Sequence, residues 1–241
     1  MELLRLRLFG GLTLLVDDEL TTGTATQRRR LALLALLAIA RGRGLSRDKI
    51  LAYLWPESDA RRARHGLNQL LSAQRRHLDS NDLFLGTKTL RLNPAVISAD
   101  VWDFEDALDR GAPEVAERFY VGPFLDGFFL PGVPEFERWA ESERDRLARR
   151  CAQALDALAA AAAAAGDHRR AGEWWRRAIE LNPFDTETTV RLVEASVAAG
   201  DRAMGLRYAE RHEQRMRTEL GLNPDARVMR LIERLRNGSS G

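Results

Sequence analysis

The order in which the hydrophobic periodicity changes along the chain restricts its fold more than any other feature. Residues 3–9 alternate leucine with arginine, and residues 12–16 alternate again, which is the period of half-buried strands. Helical spacing follows over residues 27–40 and over two further segments, the second at about residues 60–78. A short hairpin then covers residues 84–92. This order of strands, helix, helix, turn, helix and hairpin is typical of a winged helix-turn-helix.

Local signals mark where the first two helices begin and end. Thr24 or Thr26 is the predicted cap of the first helix, and Ser46 that of the second, because their side-chain oxygens accept hydrogen bonds from first-turn N–H groups. A pair of glycines ends the first helix, and Trp55-Pro56 ends the second. A five-residue connection then leads into the third helix.

From about Ser98 onward the hydrophobic pattern is helical, with a long helix predicted at about residues 136–165. The dipeptide Gly166-Asp167 recurs as Gly200-Asp201, and this spacing of 34 residues is that of tetratricopeptide (TPR) repeats. The small, aromatic and proline positions of the first unit are Ala171, Trp175, Ala178 and Pro183. The second unit fits poorly, so the repeat prediction rests on one good unit and a spacing.

These patterns predict a mainly α protein with a small β content. We expect a winged helix-turn-helix domain over residues 1–97 and an all-α TPR-like domain over residues 98–236. Residues 237–241 have the composition of a tail or linker. A chain of 241 residues is long enough for two domains of ordinary size.

The net charge of +2 conceals an asymmetry between these two parts. Residues 1–97 carry 16 basic and 9 acidic side chains, a net charge of +7, whereas residues 98–241 carry 21 and 26, a net charge of −5. A basic domain suits a polyanion, because neutralised phosphates supply most non-specific DNA affinity. The chain has 35 arginines and 2 lysines, so the plain alternative is that arginine is the default cation of this proteome.

Polar residues of the third helix lie on the side opposite its leucines. With about 100° per residue, Leu67, Leu70, Leu71 and Leu78 share the core face. The opposite face is rich in Arg, Asn and Gln, which pair with base edges in the major groove. We predict that this face reads DNA bases, and the alternative is an ordinary solvated face. The predicted base-reading residues are Arg61, Arg62, His65, Asn68, Gln69, Ser72 and Arg76.

Phosphate contacts are predicted at two other places. The start of the first helix presents free N–H groups, which bind anions. The hairpin tip presents a basic side chain where a wing would reach the DNA backbone. Each residue is alternatively an ordinary surface residue. The predicted phosphate contacts are Thr26, Gln27, Arg28, Thr87, Lys88 and Arg91.

Two polar features do not fit the assignment of polar residues to base reading or to phosphate contact. Gln74 lies on the core side of the third helix, so either the helix rotates or Gln74 has a buried partner. Asp100, Asp103, Glu105 and Asp106 predict a solvated acidic face, which would alternatively face a basic partner.

Signals for other functions are missing from the sequence. The single cysteine excludes an intramolecular disulfide and a cysteine-rich metal site, and it favours a reducing, cytoplasmic compartment. The four histidines have no metal-ligand spacing, and no catalytic motif occurs, so we expect no enzyme activity, metal or cofactor. Arg5 and Arg7 interrupt the first apolar stretch, which argues against a signal peptide. No apolar run approaches the roughly 20 residues of a membrane helix, so we expect no membrane partner.

Taken in order, these segments resemble the SARP family, the antibiotic-regulatory-protein type of bacterial transcription activators. The resemblance covers nearly the whole chain, and it departs at Gln74, where family members usually carry leucine. In the N-terminal part the matching motifs are Leu6-Arg7-Leu8-Phe9-Gly10, residues 27–37, residues 45–50, Leu54-Trp55-Pro56, residues 67–72 and residues 75–78. In the C-terminal part they are residues 100–104, residues 120–125, residues 136–139 with Arg144 and Leu147, Asn182-Pro183-Phe184 and residues 219–224.

The resemblance implies an OmpR-like winged helix with no receiver domain before it, followed by a TPR-like bacterial transcriptional activation domain. It also implies binding to short direct repeats in promoters as side-by-side copies, and contact with RNA polymerase holoenzyme. Some relatives carry further domains, so the tail at residues 238–241 suggests a chain cut from a longer regulator.

A second hypothesis comes from a different functional class. The TPR-like half would bind a peptide in its groove, and the winged helix would be a docking module that does not bind DNA. The charge of +7 on residues 1–97 argues against it.

Overall fold

A computed structural model of the chain describes residues 4–16, 19–20, 25–78 and 80–238, and for residues 16, 19–20 and 25–27 the description stops at the backbone. The chain divides into two compact units. A division by compactness does not define a functional domain limit, so the limits predicted from the sequence stay a prediction. The first unit is built from residues 1–111 and 118–146, and the second from residues 112–117 and 147–241.

The described residues are mainly helical and contain two small sheets, which confirms the predicted fold class. The elements in chain order are β1 (Leu4–Arg7), β2 (Thr13–Val16), β3 (Glu19–Leu20), α1 (Ala25–Ala40), a 3-10 turn (Arg41–Arg43), β4 (Leu45–Ser46), α2 (Arg47–Leu54), α3 (Ala60–His77), β5 (Phe84–Leu85), β6 (Thr89–Leu92), β7 (Ile97–Ala99), α4 (Asp100–Asp109), α5 (Pro113–Phe119), α6 (Pro134–Ala164), α7 (His168–Leu181), α8 (Thr186–Ala198), α9 (Arg202–Glu219) and α10 (Ala226–Asn237).

The first sheet has the strand order β3-β2-β1-β7. Alternation in β1 buries its leucines and exposes its arginines, as the sequence predicts. β1 pairs antiparallel with β2, so that Leu6 lies opposite Leu14. It also pairs parallel with β7, which places Ala99 on the other side of Leu6. Local periodicity gives no sign of this parallel partner, because β7 lies far along the chain.

The predicted hairpin is present as β5 and β6, and β4 extends it to a sheet with the order β4-β6-β5. Leu45 pairs with Leu90, and Phe84 pairs with Leu92. Gly44, just before β4, has a φ of 63°, and a Cβ atom there would lie 2.6 Å from the carbonyl oxygen of Leu90. Glycine therefore allows the chain to pass close to β6 in a left-handed conformation.

Side-chain caps fix the starts of α2 and α3. Ser46 accepts a hydrogen bond through its Oγ from the N–H group three residues later, at 3.2 Å, which confirms the predicted cap. α3 follows Asp59, whose carboxylate accepts from the N–H group three residues later at 2.9 Å. Thr24 and the side chain of Thr26 lie outside the described residues, so the predicted cap of α1 stays a prediction.

The predicted solvated face of α4 is wrong for Asp100, which is 6% exposed. Its carboxylate accepts hydrogen bonds from the backbone N–H groups of Leu8, at 2.9 and 3.0 Å, and of Phe9, at 3.1 Å. Asp100 therefore satisfies the backbone that continues from β1. The sequence pattern does not show this contact, because the donors and the acceptor are 91 or 92 positions apart.

Two other acidic residues of α4 also have partners. Asp106 forms an ion pair with Arg41 at 2.6 Å, and Glu105 with Arg146 at 2.8 Å. These two carboxylates therefore pair with arginines of the same chain, and a basic partner for the acidic face stays a prediction. Both pairs lie in the first unit.

The stability of the first unit should depend on pH through Asp100. Burial raises the pKa of Asp100 to about 6, although hydrogen bonds from backbone N–H groups oppose the shift. The folded chain therefore holds the proton of the Asp100 carboxyl group more tightly than the unfolded chain, in which Asp has a pKa of about 3.9. As a consequence, the free energy of unfolding should fall as the pH rises from about 4 to 6. The full loss between a pH well below 4 and a pH well above 6 is about 3 kcal/mol, since one pKa unit corresponds to about 1.36 kcal/mol.

Urea unfolding of the wild type and of Asp100→Asn across this pH range measures the effect, because the amide does not titrate. The advantage of the wild type over the variant should be largest near the lower end of the range and should shrink as the pH rises. An advantage that stays constant with pH would contradict the raised pKa of Asp100.

The second unit contains α7 to α10, in which successive helices pack against each other. Asp167 and Asp201 cap α7 and α9, so the repeated glycine-aspartate dipeptides mark helix starts, as the repeat spacing indicates. Trp175 of α7 is buried beside Leu192 of α8, and its Nε1 donates to Asp156 of α6 at 2.8 Å. A TPR-like arrangement of helices is therefore present.

In the described part of the chain, none of the helices combines the length and the apolar character needed to cross a bilayer.

Candidate nucleic-acid interface

α3 presents one polar face to solvent. Leu67, Leu70 and Leu71 are buried on its other side. The seven predicted base-reading residues are all exposed, which agrees with the helical phase used to predict them. Their role in reading bases stays a prediction. We call this surface the reading face, and its members are Arg61, Arg62, His65, Asn68, Gln69, Ser72 and Arg76.

Gln74 lies on the core side of α3, as its phase predicts, and is 3% exposed. The helix therefore does not rotate to bring this side chain out. Within the described residues, its Oε1 atom has no hydrogen-bond partner. A buried acceptor without a partner costs about 1–3 kcal/mol, so Gln74 lowers the stability that α3 gains from its core side.

Arg47 at the start of α2 ties the reading face to the hairpin. Its guanidinium donates to the Oδ1 atom of Asn68 at 2.9 Å and to the carbonyl oxygen of Thr87 at 2.7 Å. Its backbone N–H donates to the carbonyl oxygen of Lys88 at 3.1 Å. Sequence reasoning did not find Arg47, because both side-chain partners lie more than 20 positions away.

The hairpin holds three of the predicted phosphate contacts. Thr87 and Lys88 are exposed at the tip, and Arg91 is exposed on β6. Gly86 has a φ of 85°, and a Cβ atom there would clash with the carbonyl oxygen of Thr89. Glycine therefore sets the shape of the tip. Arg47, which bonds Thr87 of the tip and Asn68 of α3, is the basic side chain beside α3.

The predicted contacts at the start of α1 have a different outcome. Arg28 is engaged within the chain, since it donates to the carbonyl oxygen of Phe129 at 3.1 Å and stacks 5.0 Å from the centre of that ring. The side chains of Thr26 and Gln27 lie outside the described residues. Phosphate binding by these three residues stays a prediction.

A groove of about 640 Å³ lies between α1 and α3. The guanidinium of Arg29 lies 5.6 Å from the centre of the Trp55 ring, which lines the groove. A Cβ atom on Gly66 of α3 would lie 3.3 Å from the same indole, so the glycine allows close packing of Trp55. We call this space the α1–α3 groove, and its lining includes Arg29, Arg30, Trp55, His65, Gln69 and Arg76.

The chemistry of this surface is that of hydrogen-bond donors and cations on a rigid helix. Arginine pairs with guanine, and asparagine or glutamine with adenine, through two hydrogen bonds each. Among the residues that the structure describes, no group of three or more His, Cys, Asp or Glu side chains is placed to hold a metal ion. The surface therefore presents cations and hydrogen-bond donors, which are groups that pair with anionic, hydrogen-bonding partners.

The fold is thus a winged helix-turn-helix with TPR-like helices after it, in which the third helix has an exposed polar face. The model of the family "Bacterial transcriptional activator domain" matches residues 100–236, and the chain belongs to this family. The predicted resemblance to SARP-type activators is thereby confirmed.

One solved structure is similar over nearly the whole chain. It is that of Mycobacterium tuberculosis EmbR in complex with a low affinity phosphopeptide, with a TM-score of 0.69 and 22% sequence identity. The similarity covers 99% of this chain and 66% of that chain, so the present chain spans less than two thirds of it. At this identity the likeness supports the fold alone. No curated protein matches the chain.

Proposed function

We propose that the chain is a sequence-specific DNA-binding transcription regulator. It acts as an activator that binds direct repeats in promoters through α3 and the hairpin wing, and it contacts RNA polymerase holoenzyme. The observation that carries the proposal is the reading face, in which seven donor-rich side chains lie on one exposed side of a rigid helix whose leucines are buried.

The surroundings of the reading face support DNA as the partner. Arg47 bonds Asn68 and the hairpin backbone at once, which holds the wing and the helix in a fixed relation. The charge of +7 on residues 1–97 supplies the attraction to phosphates. Pre-organised contacts lose less entropy on binding, so this rigidity favours sequence discrimination.

The finer parts of the proposal rest on the family. The name of the matching family model indicates transcriptional activation. Binding to direct repeats, side-by-side copies and contact with polymerase holoenzyme are what the SARP resemblance implies. The TPR-like second unit is the part proposed to present surface to polymerase or to a second copy.

Selection from a random-sequence duplex pool, followed by fluorescence anisotropy across a salt series, tests the proposal. We expect the selected duplex to bind at least about 1,000-fold more tightly than a scrambled duplex of the same composition. The logarithm of the affinity should fall with the logarithm of the salt concentration by about 0.9 per phosphate contact. A duplex with two copies of the selected site in direct repeat should bind more tightly than one with a single copy.

The alternative of a protein-interaction scaffold also has one supporting observation. A groove of about 350 Å³ in the second unit is lined by residues of α7, α8 and α9, including Arg169, Arg176 and Tyr208. A chain that binds no duplex at low salt but retains a defined peptide in this groove would support the scaffold and overturn the activator proposal.

A further inference from the structure

We propose that the α1–α3 groove seats a phosphate of the DNA strand that runs along one flank of α3, with Arg29 and Arg30 as its ligands. This inference rests on the proposed function and deepens it, because it assigns a further phosphate contact to two arginines of α1 that are not members of the reading face. The free N–H groups at the start of α1 predicted a phosphate contact at Arg28, and they predicted none at Arg29 or Arg30.

The two flanks of α3 are chemically distinct. On one flank, Arg47 contacts Asn68 and the hairpin tip. On the other flank, Gly66 packs against Trp55, and Arg29 and Arg30 line the groove. Cations from α1 and from the start of α2 therefore adjoin the reading face, and its members that line the groove are His65, Asn68, Gln69, Ser72 and Arg76.

The dimensions of DNA explain why cations on both sides of α3 can reach the sugar-phosphate backbone. A helix with its side chains is about 10–12 Å wide, and the major groove is about 12 Å wide. A recognition helix that fills the groove therefore has a sugar-phosphate backbone along each flank. The side of α3 next to Arg47 and Lys88 faces one strand, and the side next to Arg29 and Arg30 faces the other.

The groove has unused capacity to bind an anion. The Nε atoms of Arg29 and Arg30 are buried and have no hydrogen-bond partner within the described residues. None of the described residues that line the groove is Asp or Glu. These Nε atoms are closed to solvent in the free chain, so a phosphate reaches them only after the two side chains shift, and charge-assisted hydrogen bonds then recover the free energy that an unpaired buried donor costs.

Trp55 gives one of the ligands a fixed position. The stacking of Arg29 on the indole leaves the edge of its guanidinium for hydrogen bonds, and arginine binds phosphate through two parallel bonds. The close packing of Gly66 fixes the indole in turn. The tryptophan therefore acts through Arg29 and needs no contact with DNA.

The test compares the salt dependence of DNA binding in Arg30→Gln and Arg29→Gln with that of the wild type, using a duplex selected by the wild type. The matched control is Arg7→Gln, which removes the same charge from the exposed side of β1, away from the groove. Each groove variant should lose about 0.9 from the slope of log affinity against log salt for each phosphate contact removed. The ratio of affinities for selected and scrambled duplexes should stay within about twofold of the wild type, because phosphate contacts carry no sequence information.

A second measurement locates the contact. Neutral methylphosphonates are placed one at a time along the selected duplex. At one position the substitution should weaken binding by the wild type and leave binding by Arg30→Gln unchanged, because the variant has already lost that contact. A circular dichroism spectrum and a melting curve like those of the wild type show that each variant is folded.

Several results would overturn the inference. One such result is that the affinity of the wild type falls steeply with salt while the slope in the groove variants stays that of the wild type, or changes no more than in Arg7→Gln. In that case the groove seats no phosphate, and the proposed function stands. The same conclusion follows if the loss of affinity in Arg30→Gln simply adds to the loss from every methylphosphonate, because the side chain and the phosphates then act independently. An acidic peptide that binds the wild type, loses its affinity in Arg30→Gln and leaves the DNA slope unchanged would assign the groove to a protein partner. No DNA binding by the wild type overturns both proposals.

Discussion

The double variant Gln69→Ala, Arg76→Ala is expected to lose most of the wild type's preference for the selected duplex over the scrambled one. Both side chains lie exposed on the reading face of α3. A good bidentate contact to a base contributes about 1–3 kcal/mol of discrimination, so removal of two should cost about 2–6 kcal/mol, which is a loss of at least about 30-fold in the affinity ratio. Fluorescence anisotropy with both duplexes at one salt concentration measures the ratio directly.

The matched control for this variant is Arg64→Ala on the same helix. Arg64 is exposed but lies outside the reading face and sits 3.9 Å from Asp48 of α2. Its loss should lower the affinity for both duplexes by the same factor and keep their ratio. A ratio that survives in the double variant would show that the assignment of the reading face is wrong.

The variant Trp175→Ala should give the largest loss of stability in the second unit. Trp175 is 6% exposed and packs in a core cluster with Ala159, Ala171 and Leu192. Replacement of a buried tryptophan by alanine leaves a cavity and costs about 3–5 kcal/mol of the free energy of unfolding. The variant also leaves Asp156 without the hydrogen bond from the indole.

The adjacent Trp174 offers the comparison. It is half-buried, and Arg177 stacks on its ring at 5.8 Å. Urea unfolding followed by circular dichroism should show a clearly smaller loss for Trp174→Ala than for Trp175→Ala. Equal losses from the two variants would contradict the position of Trp175 in the core of α7 and α8.

Features governed by neighbouring residues were predictable from the sequence. The alternation in β1, the cap at Ser46, the hairpin of β5 and β6 and the exposed side of α3 all depend on residues a few positions apart. Periodicity, capping and turn chemistry are physical effects of that range.

Features that depend on distant residues were not predictable. The carboxylate of Asp100 looks like part of a charged helix surface until the chain brings the N–H groups of Leu8 and Phe9 to it. Arg47 likewise looks like an ordinary cation in the first turn of α2. In the candidate interface, sequence reasoning named the residues that face outward but missed Arg47 and the α1–α3 groove, because both are created by packing between helices.

The buried carboxylate of Asp100 also has a practical consequence for cutting the gene into parts. The match to the activator family begins at residue 100, which invites a cleavage of the chain immediately before it. Such a cut would remove the acceptor of the Leu8 and Phe9 N–H groups, and with it residues 122–126, whose backbone bonds Leu8 and Gly10. An N-terminal fragment intended for crystallisation or binding work should therefore keep Asp100 and residues 122–126 together with β1.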